Sequence, residues 1–355
     1  MIKIDTEKLI SWFLKHKRKL PGRDITDPYP IWISEIMAQQ TRMEAVKPYY
    51  ERFLKEIPTI KSLALVQEDK LLKLWEGLGY YSRARNLQHA AKTIMEKHQG
   101  VFPRTYKDTI QLKGIGEYTA GAILSRAYGL PYAAVDGNVL RVLTRYEANS
   151  LDITLTSTKK YYKKQLELLQ PSNFGFLNES LMELGATICG VKITKCDSCP
   201  LKDNCKAYEK NSILLYPVKS KKVKITIHEY TCFFLIDENR QIYFEYKEGG
   251  LLKGLYSPYI LEETISEIDV YTHLENMGLH IKHIISLQEK KHVFTHQIWY
   301  MKGYIVYIQD KANLIGRFYT KEEIENTIGI STCFRKFFKE IYHYLYNQKD
   351  SKNYE

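Results

Sequence analysis

The chain has 355 residues, 44% of them apolar, and 52 Lys plus Arg against 41 Asp plus Glu leave a formal net charge of +11. That apolar content is enough for a sizeable core and excludes disorder throughout. At roughly 100–200 residues per domain the length suggests two domains, three at most. No apolar run approaches the roughly 18 residues needed to cross a bilayer. The basic excess favours polyanionic partners, nucleic acid or an acidic membrane surface, and says nothing about fold. The 28 tyrosines, alongside heavy use of Lys and Ile, read mainly as compositional bias.

In chain order, residues 1–19 carry Asp5, Glu7 and Lys8 within the apolar pattern and no small-residue cleavage site. They read as an amphipathic helix rather than a signal peptide, and a cytoplasmic, nucleoid-associated protein is expected. Residues 1–210 read as mainly helical. Apolar residues recur at three- and four-residue spacing over Asp69–Trp75, Ser82–Lys97 and Thr158–Leu169. Turns at Gly77-Leu78-Gly79, Gly114-Ile115-Gly116 and Gly129-Leu130-Pro131 separate such segments. The stretch Leu112-Lys113-Gly114-Ile115-Gly116-Glu117-Tyr118-Thr119-Ala120 places two glycines just before a helix. Amides at a helix start point outward at the positive end of its dipole, which makes a phosphate site with no sequence preference. The longer pattern resembles the helix-hairpin-helix motif.

Four of the six cysteines, Cys189, Cys196, Cys199 and Cys205, fall within 17 residues at C-x6-C-x2-C-x5-C spacing, after the helical Leu181–Gly185. In a cytosolic chain such a group is metal-ligating rather than disulfide-bonded. Zinc modules usually pair two C-x2-C knuckles, whereas cubane iron–sulfur clusters accept uneven spacing. The spacing therefore favours an iron–sulfur cluster, with structural zinc and, behind it, free thiols the alternatives. Cys232 and Cys333 are expected to be buried apolar residues. From about 211 the pattern changes. Pro217 and a lysine-rich run over 219–224 read as a basic linker, 211–224. Ile225–Ile236, Gln241–Tyr246 and Gln297–Ile308 are β-branched and aromatic, and read as strands. A final helix is predicted over Lys321–Leu345, followed by a polar tail, 346–355.

Several long stretches, in order, resemble the helix-hairpin-helix DNA glycosylases, specifically the MutY type of adenine glycosylase. They are Asp27-Pro28-Tyr29, Ile31 through Thr41, Gly77 through Leu87, the hairpin, Val135-Asp136-Gly137-Asn138-Val139 and the four cysteines. The resemblance implies a multidomain chain. An all-α helix-hairpin-helix glycosylase domain (1–210), with an iron–sulfur loop at 189–205, precedes an α+β Nudix-like domain (225–345). It implies a four-iron, four-sulfur cluster on Cys189, Cys196, Cys199 and Cys205. It also implies a double-stranded DNA partner carrying an 8-oxoguanine·adenine or guanine·adenine mispair, bound by a monomer.

Breaking an N-glycosidic bond generates a cationic sugar and a poor leaving base, so one acid must protonate the base and another must face the cation. Glu35 lies among Trp32, Ile33, Ile36 and Met37, where an apolar setting favours the neutral acid. Asp136 opens a helix, whose N-terminus favours the ionised form. The resemblance puts the two catalytic roles at these positions, with Tyr118 and Asn138 assisting. Endonuclease III relatives carry at position 118 a lysine that forms a Schiff base; Tyr118 cannot, so a glycosylase without strand cleavage is implied.

By resemblance, Arg23 and Glu179 line the adenine pocket, while Gln40, Thr41, Leu78 and Tyr80 border the stack vacated when the base flips out. Gly114 and Gly116 hold the DNA backbone. Gly250-Leu251-Leu252-Lys253-Gly254-Leu255 matches a turn of the Nudix-like domain, without an acidic metal-binding box. Phe294-Thr295-His296 matches the loop that reads 8-oxoguanine. The chain departs from the family's Leu-Pro-Trp-Arg with Leu20-Pro21-Gly22-Arg23, which removes a large aromatic beside the base pocket. A mismatch glycosylase acting on thymine in G·T is the alternative on that account. A redox-sensitive DNA-binding protein is the alternative from another class, and one that has no need of Glu35 or Asp136.

Overall fold

The computed structural model describes residues 2–220, 225–309 and 314–347. The chain divides into two compact units, one of residues 1–65 and 85–222, the other of residues 66–84 and 223–355. Of the expected linker, 221–224 lie outside the described residues, as do 348–355 of the tail.

The first unit is helical. It holds α1 (Thr6–His16), α2 (Pro28–Ala38), α3 (Met43–Glu56) and α4 (Ile60–Leu65). α5 (Glu68–Trp75) belongs to the other unit, and α6 (Ser82–Lys97) carries the chain back. Then come α7 (Tyr106–Ile110), α8 (Glu117–Tyr128), α9 (Gly137–Glu147), α10 (Thr156–Glu167), α11 (Phe174–Thr187) and α12 (Lys206–Glu209). Caps set several starts. The Asp27 side chain accepts the Tyr29 amide at 2.9 Å with Pro28 in the first turn, and Asn173 accepts the Phe176 amide at 2.9 Å. The unit's core joins Leu9 and Ile10 of α1 to Leu140 and Leu143 of α9 and to Leu177, Leu181 and Leu184 of α11.

The second unit is built on a mixed sheet. Its strands are β1 (Thr226–Ile236), β2 (Ile242–Tyr246), β3 (Tyr256–Ser257), β4 (Tyr259–Leu261), β5 (Ile281–Ser286), β6 (Lys290–Val293), β7 (Gln297–Ile308) and β8 (Arg317–Tyr319). The main order is β3-β2-β1-β7-β5, with β1 and β7 parallel from Thr226↔Gln297 to Ile236↔Tyr307. Alternate residues of β1 enter different cores: Cys232, Phe234 and Ile236 on one face, Phe233 and Leu235 on the other. Both faces are therefore covered, as the nearly continuous apolar run of β1 requires. α13 (Glu267–Asn276) covers one face through Val270 and Leu274, while Phe334, Phe337 and Ile341 cover the other. Cys232 and Cys333 are both fully buried.

Two expectations need correction. The single helix over 321–345 is three short helices, α14 (Lys321–Asn326), α15 (Thr332–Arg335) and α16 (Phe338–Tyr342), with a wide turn over His343–Asn347. Between the first two the chain is extended, buries Ile328 and Ile330, and gives the Gly329 carbonyl to the Tyr256 amide at 2.9 Å. Pairing beside β3 outweighs helix continuation there. Residues 66–84, read as part of 1–210, pack instead within the second unit. Lys73 Nζ donates to the carbonyls of Ile324 (2.9 Å) and Ile328 (3.2 Å), and Arg335 pairs with Glu76.

Candidate active site

Glu35 sits in the third turn of α2, a helix buried along most of its length, and is itself only 7% exposed. It opens into a cavity of about 330 Å³ that is also lined by Tyr118, Asp136, Asn138, Arg23, Thr41 and Glu179. The Tyr118 hydroxyl donates to Glu35 Oε2 at 3.0 Å, and Arg126 Nη1 donates to Oε1 at 2.8 Å. Burial pushes the Glu35 carboxyl above its ordinary value, against the pull of the Arg126 charge and the Tyr118 hydroxyl. Burial likewise lifts the Tyr118 phenol well above its usual range, helped by the charges of Glu35 and Asp136.

Asp136 is the N-cap of α9. Its Oδ1 accepts the Val139 amide at 2.7 Å and its Oδ2 accepts Asn138 Nδ2 at 2.8 Å. The helix start favours the ionised form, as the sequence reading expects, but it does not act alone. Burial outweighs the hydrogen bonds from Val139 and Asn138 and moves this carboxyl above its ordinary value too.

One part of the cavity is a ladder of alternating charges. Arg126 Nε lies 3.7 Å from Glu179 Oε1, which accepts Arg23 Nε at 3.3 Å. Arg23 also donates to Glu183 Oε2 through Nη1 and Nη2, both at 3.1 Å, and Arg18 Nε donates to Glu183 Oε1 at 2.7 Å. Burial works against the Glu183 carboxylate, but the Arg18 hydrogen bond and the Arg23 charge hold it below its usual value. Arg126, Glu183 and Arg18 were missed in the sequence. The available signal was helical phase: Arg126 lies eight residues after Tyr118 on α8, and Glu183 four after Glu179 on α11, each pair on one helix face.

α9 also reaches the cysteine-rich loop. Arg141 Nη2 donates to Asn138 Oδ1 (2.9 Å) and to the Gly185 carbonyl (2.7 Å), while its Nε donates to the Cys189 carbonyl (2.8 Å). One turn on, the fully buried Arg145 donates to Gly190 (2.7 Å), Val191 (3.1 Å) and Ile213 (3.1 Å) carbonyls and to Cys189 Sγ (3.3 Å). Neither arginine was singled out from sequence. Cys189, Cys196, Cys199 and Cys205 line one apolar cavity with Ile188, Tyr208 and Ile213. Burial pushes the Cys199 thiol up to about 12. Among the described residues, no three or more His, Cys, Asp or Glu are grouped so as to hold a metal ion.

The hairpin links α7 to α8. Gly114 has φ +86°, and a Cβ there would stand 2.9 Å from that of Asn86. Gly116 has ordinary extended backbone and caps α8 without a side chain. Gln40, exposed and at φ +58°, follows the end of α2 and does not line the cavity, whereas Thr41 does. Leu78 and Tyr80 belong to the second unit, Leu78 buried and Tyr80 exposed. Arg83 Nη2 donates to the carbonyls of Leu78 (3.2 Å) and Gly79 (3.1 Å), and its guanidinium lies 5.4 Å from the Trp75 ring and 5.6 Å from that of Tyr80. Phe294-Thr295-His296 is the tight turn between β6 and β7. It leaves Thr295 and His296 exposed, with Phe294 edge-on to Trp299 at 4.9 Å.

A helical unit with a hairpin before α8, and Glu35 and Asp136 lining one cavity, agree with the helix-hairpin-helix resemblance read from the sequence. Residues 33–171 match the HhH-GPD superfamily, described as base excision DNA repair protein. An adenine DNA glycosylase of Buchnera aphidicola subsp. Baizongia pistaciae (strain Bp) is 36% identical over 298 residues, covering 83% of this chain and 84% of that protein. Among solved structures, a thermostable thymine-DNA glycosylase is similar with TM-score 0.53 and 28% identity, covering 58% of this chain and 95% of that one. A trapped covalent intermediate of endonuclease III with DNA is similar in fold, with TM-score 0.50 and 24% identity over 58% of this chain and 94% of that one. The chain belongs to the adenine DNA glycosylase family of the HhH-GPD superfamily.

Proposed function

We propose that this protein is an adenine DNA glycosylase of base excision repair. It hydrolyses the N-glycosidic bond of adenine opposite 8-oxoguanine or guanine and leaves an abasic site. The observation that carries this reading is the single cavity onto which Glu35, Tyr118, Asp136 and Asn138 converge. The flipped adenine enters it, and Glu35 delivers a proton to a ring nitrogen. The C1′–N bond breaks with its electron pair going to the base. Asp136, oriented by Asn138 and the Val139 amide, faces the sugar cation, and water adds to C1′. Tyr118 presents no amine, so no Schiff base forms and the strand stays intact.

Arg23 and Glu179 shape the base pocket, with Thr41 at its edge. Gly114 and Gly116 present the backbone of α8 to DNA phosphate, and Gln40, Leu78 and Tyr80 fill the vacated stack. The second unit is Nudix-like, and its exposed Thr295 and His296 read 8-oxoguanine. The substrate is thus a mispaired duplex, bound by a monomer.

The cysteine cavity fits a four-iron, four-sulfur cluster. Four thiols around one cavity are the donor set of such a cluster, one ligand per iron, and their uneven spacing suits it. Cys189, Cys196, Cys199 and Cys205 would hold it, and it would cross-link the loop that Arg141 and Arg145 tie to α9.

The test is single-turnover base release from duplexes with one 8-oxoguanine·adenine or one G·T pair, comparing wild type with Glu35→Gln. Adenine released by wild type alone, with no strand cut before alkali, is the expected result. Thymine released in its place would move the protein to the specificity named for its thymine-DNA glycosylase neighbour.

A further inference from the structure

Position 22 is where the chain departs from the family's tryptophan, and the structure shows what stands there instead. Gly22 has φ +72°, and a Cβ on it would lie 2.6 Å from Ser34 Oγ and 2.9 Å from Ser34 Cβ. No side chain fits at this position. The guanidinium of Arg126, reaching over from α8, donates to the Gly22 carbonyl and, at 2.8 Å, to Glu35 Oε1. Arg126 is thus the partner shared by the turn that carries Gly22 and the acid in the cavity, and its side chain is only 9% exposed.

An arginine in this position has a consequence for the proton. Guanidinium is always charged and has donors only. The oxygen it binds, Oε1, must therefore accept, and a proton on Glu35 is confined to Oε2. The neighbour of Oε2 is the Tyr118 hydroxyl at 3.0 Å, which both donates and accepts and so tolerates either state of the acid. Other charged groups line the cavity with Glu35, among them Arg18, and Arg42 and Glu44 at the start of α3. Glu179 on α11 opposes its ionisation, and Arg23 beside Glu179 offsets that charge. Asp136 at the start of α9 lines the same cavity. Of these, Arg126 alone bonds a Glu35 oxygen and also favours the carboxylate through its charge.

We propose that Arg126 is a positioning residue for base excision: it fixes the transferable proton of Glu35 on Oε2 and sets the upper pH limit of the reaction. This rests on the glycosylase reading above. Glu35 acts while protonated, so in the range where Asp136 is ionised the rate falls as pH rises through the titration of Glu35. By favouring the carboxylate, Arg126 draws that fall to lower pH than burial alone would set. When the proton leaves Oε2 for the base, its bond pair stays on a carboxylate already paired with Arg126, so the product charge is not left unpaired in an apolar wall.

The test is the pH profile of single-turnover adenine release by the full chain and its Arg126→Met, Arg126→Gln and Arg126→Lys variants, with melting temperatures recorded alongside. At the pH where wild type has fallen to half its plateau, Arg126→Met and Arg126→Gln are expected to run close to their own plateaus. Arg126→Lys, which keeps the charge, is expected to follow the wild-type limb. A purely structural role lowers the plateau and the melting temperature and leaves the limb in place, and that outcome overturns the proposal. If the neutral variants do not fold, an infrared difference titration in a Tyr118→Phe background, against Tyr118→Phe with Glu35→Gln, decides, because Oε2 then loses the Tyr118 donor. A protonated carboxyl band at the frequency of a free carbonyl overturns the assignment of the proton to Oε2, and a band lowered by the Arg126 hydrogen bond to Oε1 supports it. Wild type inactive on the adenine mispair at every pH overturns the glycosylase reading instead, which separates the two failures.

Discussion

Asp136 has two duties that chemistry can separate. As N-cap of α9 its carboxyl accepts the Val139 amide at 2.7 Å and Asn138 Nδ2 at 2.8 Å. Asparagine caps as well as aspartate, so Asp136→Asn is expected to melt close to wild type. Asp136→Ala removes the acceptor and is expected to lose about 1 kcal/mol, typical of a lost cap. The charge is a different matter, and both variants lose it. A carboxylate about 4 Å from a unit positive charge, at an effective dielectric of about 20, stabilises it by about 4 kcal/mol. Because each 1.4 kcal/mol is about tenfold in rate, both substitutions are expected to slow adenine release about a thousandfold. Single-turnover release from an 8-oxoguanine·adenine duplex measures the rate, and thermal melting by circular dichroism measures the cap. Asp136→Asn releasing adenine at the wild-type rate would refute the electrostatic role. Asp136→Ala melting with wild type would refute the cap.

Three further outcomes are expected. Glu35→Gln removes the proton donor, while its amide oxygen can still accept from Arg126 and its amide nitrogen can donate to the Tyr118 hydroxyl. It should fold normally and lose about 10²–10⁴-fold in the same assay; a smaller loss would mean that another group protonates the base. Cys199→Ser removes one of the four thiols in the cavity. Iron and sulfide assays and the visible absorption of the purified protein should show the cluster lost and the melting temperature lowered, and intact absorption in the variant would sink the ligand assignment. Arg83→Met frees the Leu78 and Gly79 carbonyls. It should lower stability to urea by about 2 kcal/mol, in the range for hydrogen bonds to charged groups, and slow release through the Leu78–Tyr80 loop; an unchanged urea midpoint would mean that the loop holds itself.

What could be read in the sequence was local. β1, β2 and β7 were predicted within a residue of their observed ends because strand alternation and turn residues act over a few positions. Asp136 was recognised as a helix start for the same reason. The broken helix over 321–345 was not, since the pairing that extends Gly329 and Ile330 depends on Tyr256, far away in the chain. Glu35, Glu179 and Arg23 were found, but Arg126, Glu183 and Arg18 were not. Arg18 and Arg23 meet Glu183 across about 160 residues, and Arg126 meets Glu35 across 91. The pairing itself leaves no periodicity at that separation; only helical phase, Arg126 with Tyr118 and Glu183 with Glu179, pointed to these residues.

Sequence shows only half of what acts on Asp136, for a related reason. The helix start, a local feature, favours the ionised form, while the burial that raises its titration is a property of the assembled cavity. A burial cost of that kind needs compensation, and α9 supplies it. The helix presents Asp136 at its first turn and Asn138 beside it, with Arg141 and Arg145 holding the cysteine loop on the following turns. A rigid α9 lets donors, rather than solvent, meet the carboxylate. That is the condition under which a buried acid acts on a developing cation without first reorganising its surroundings.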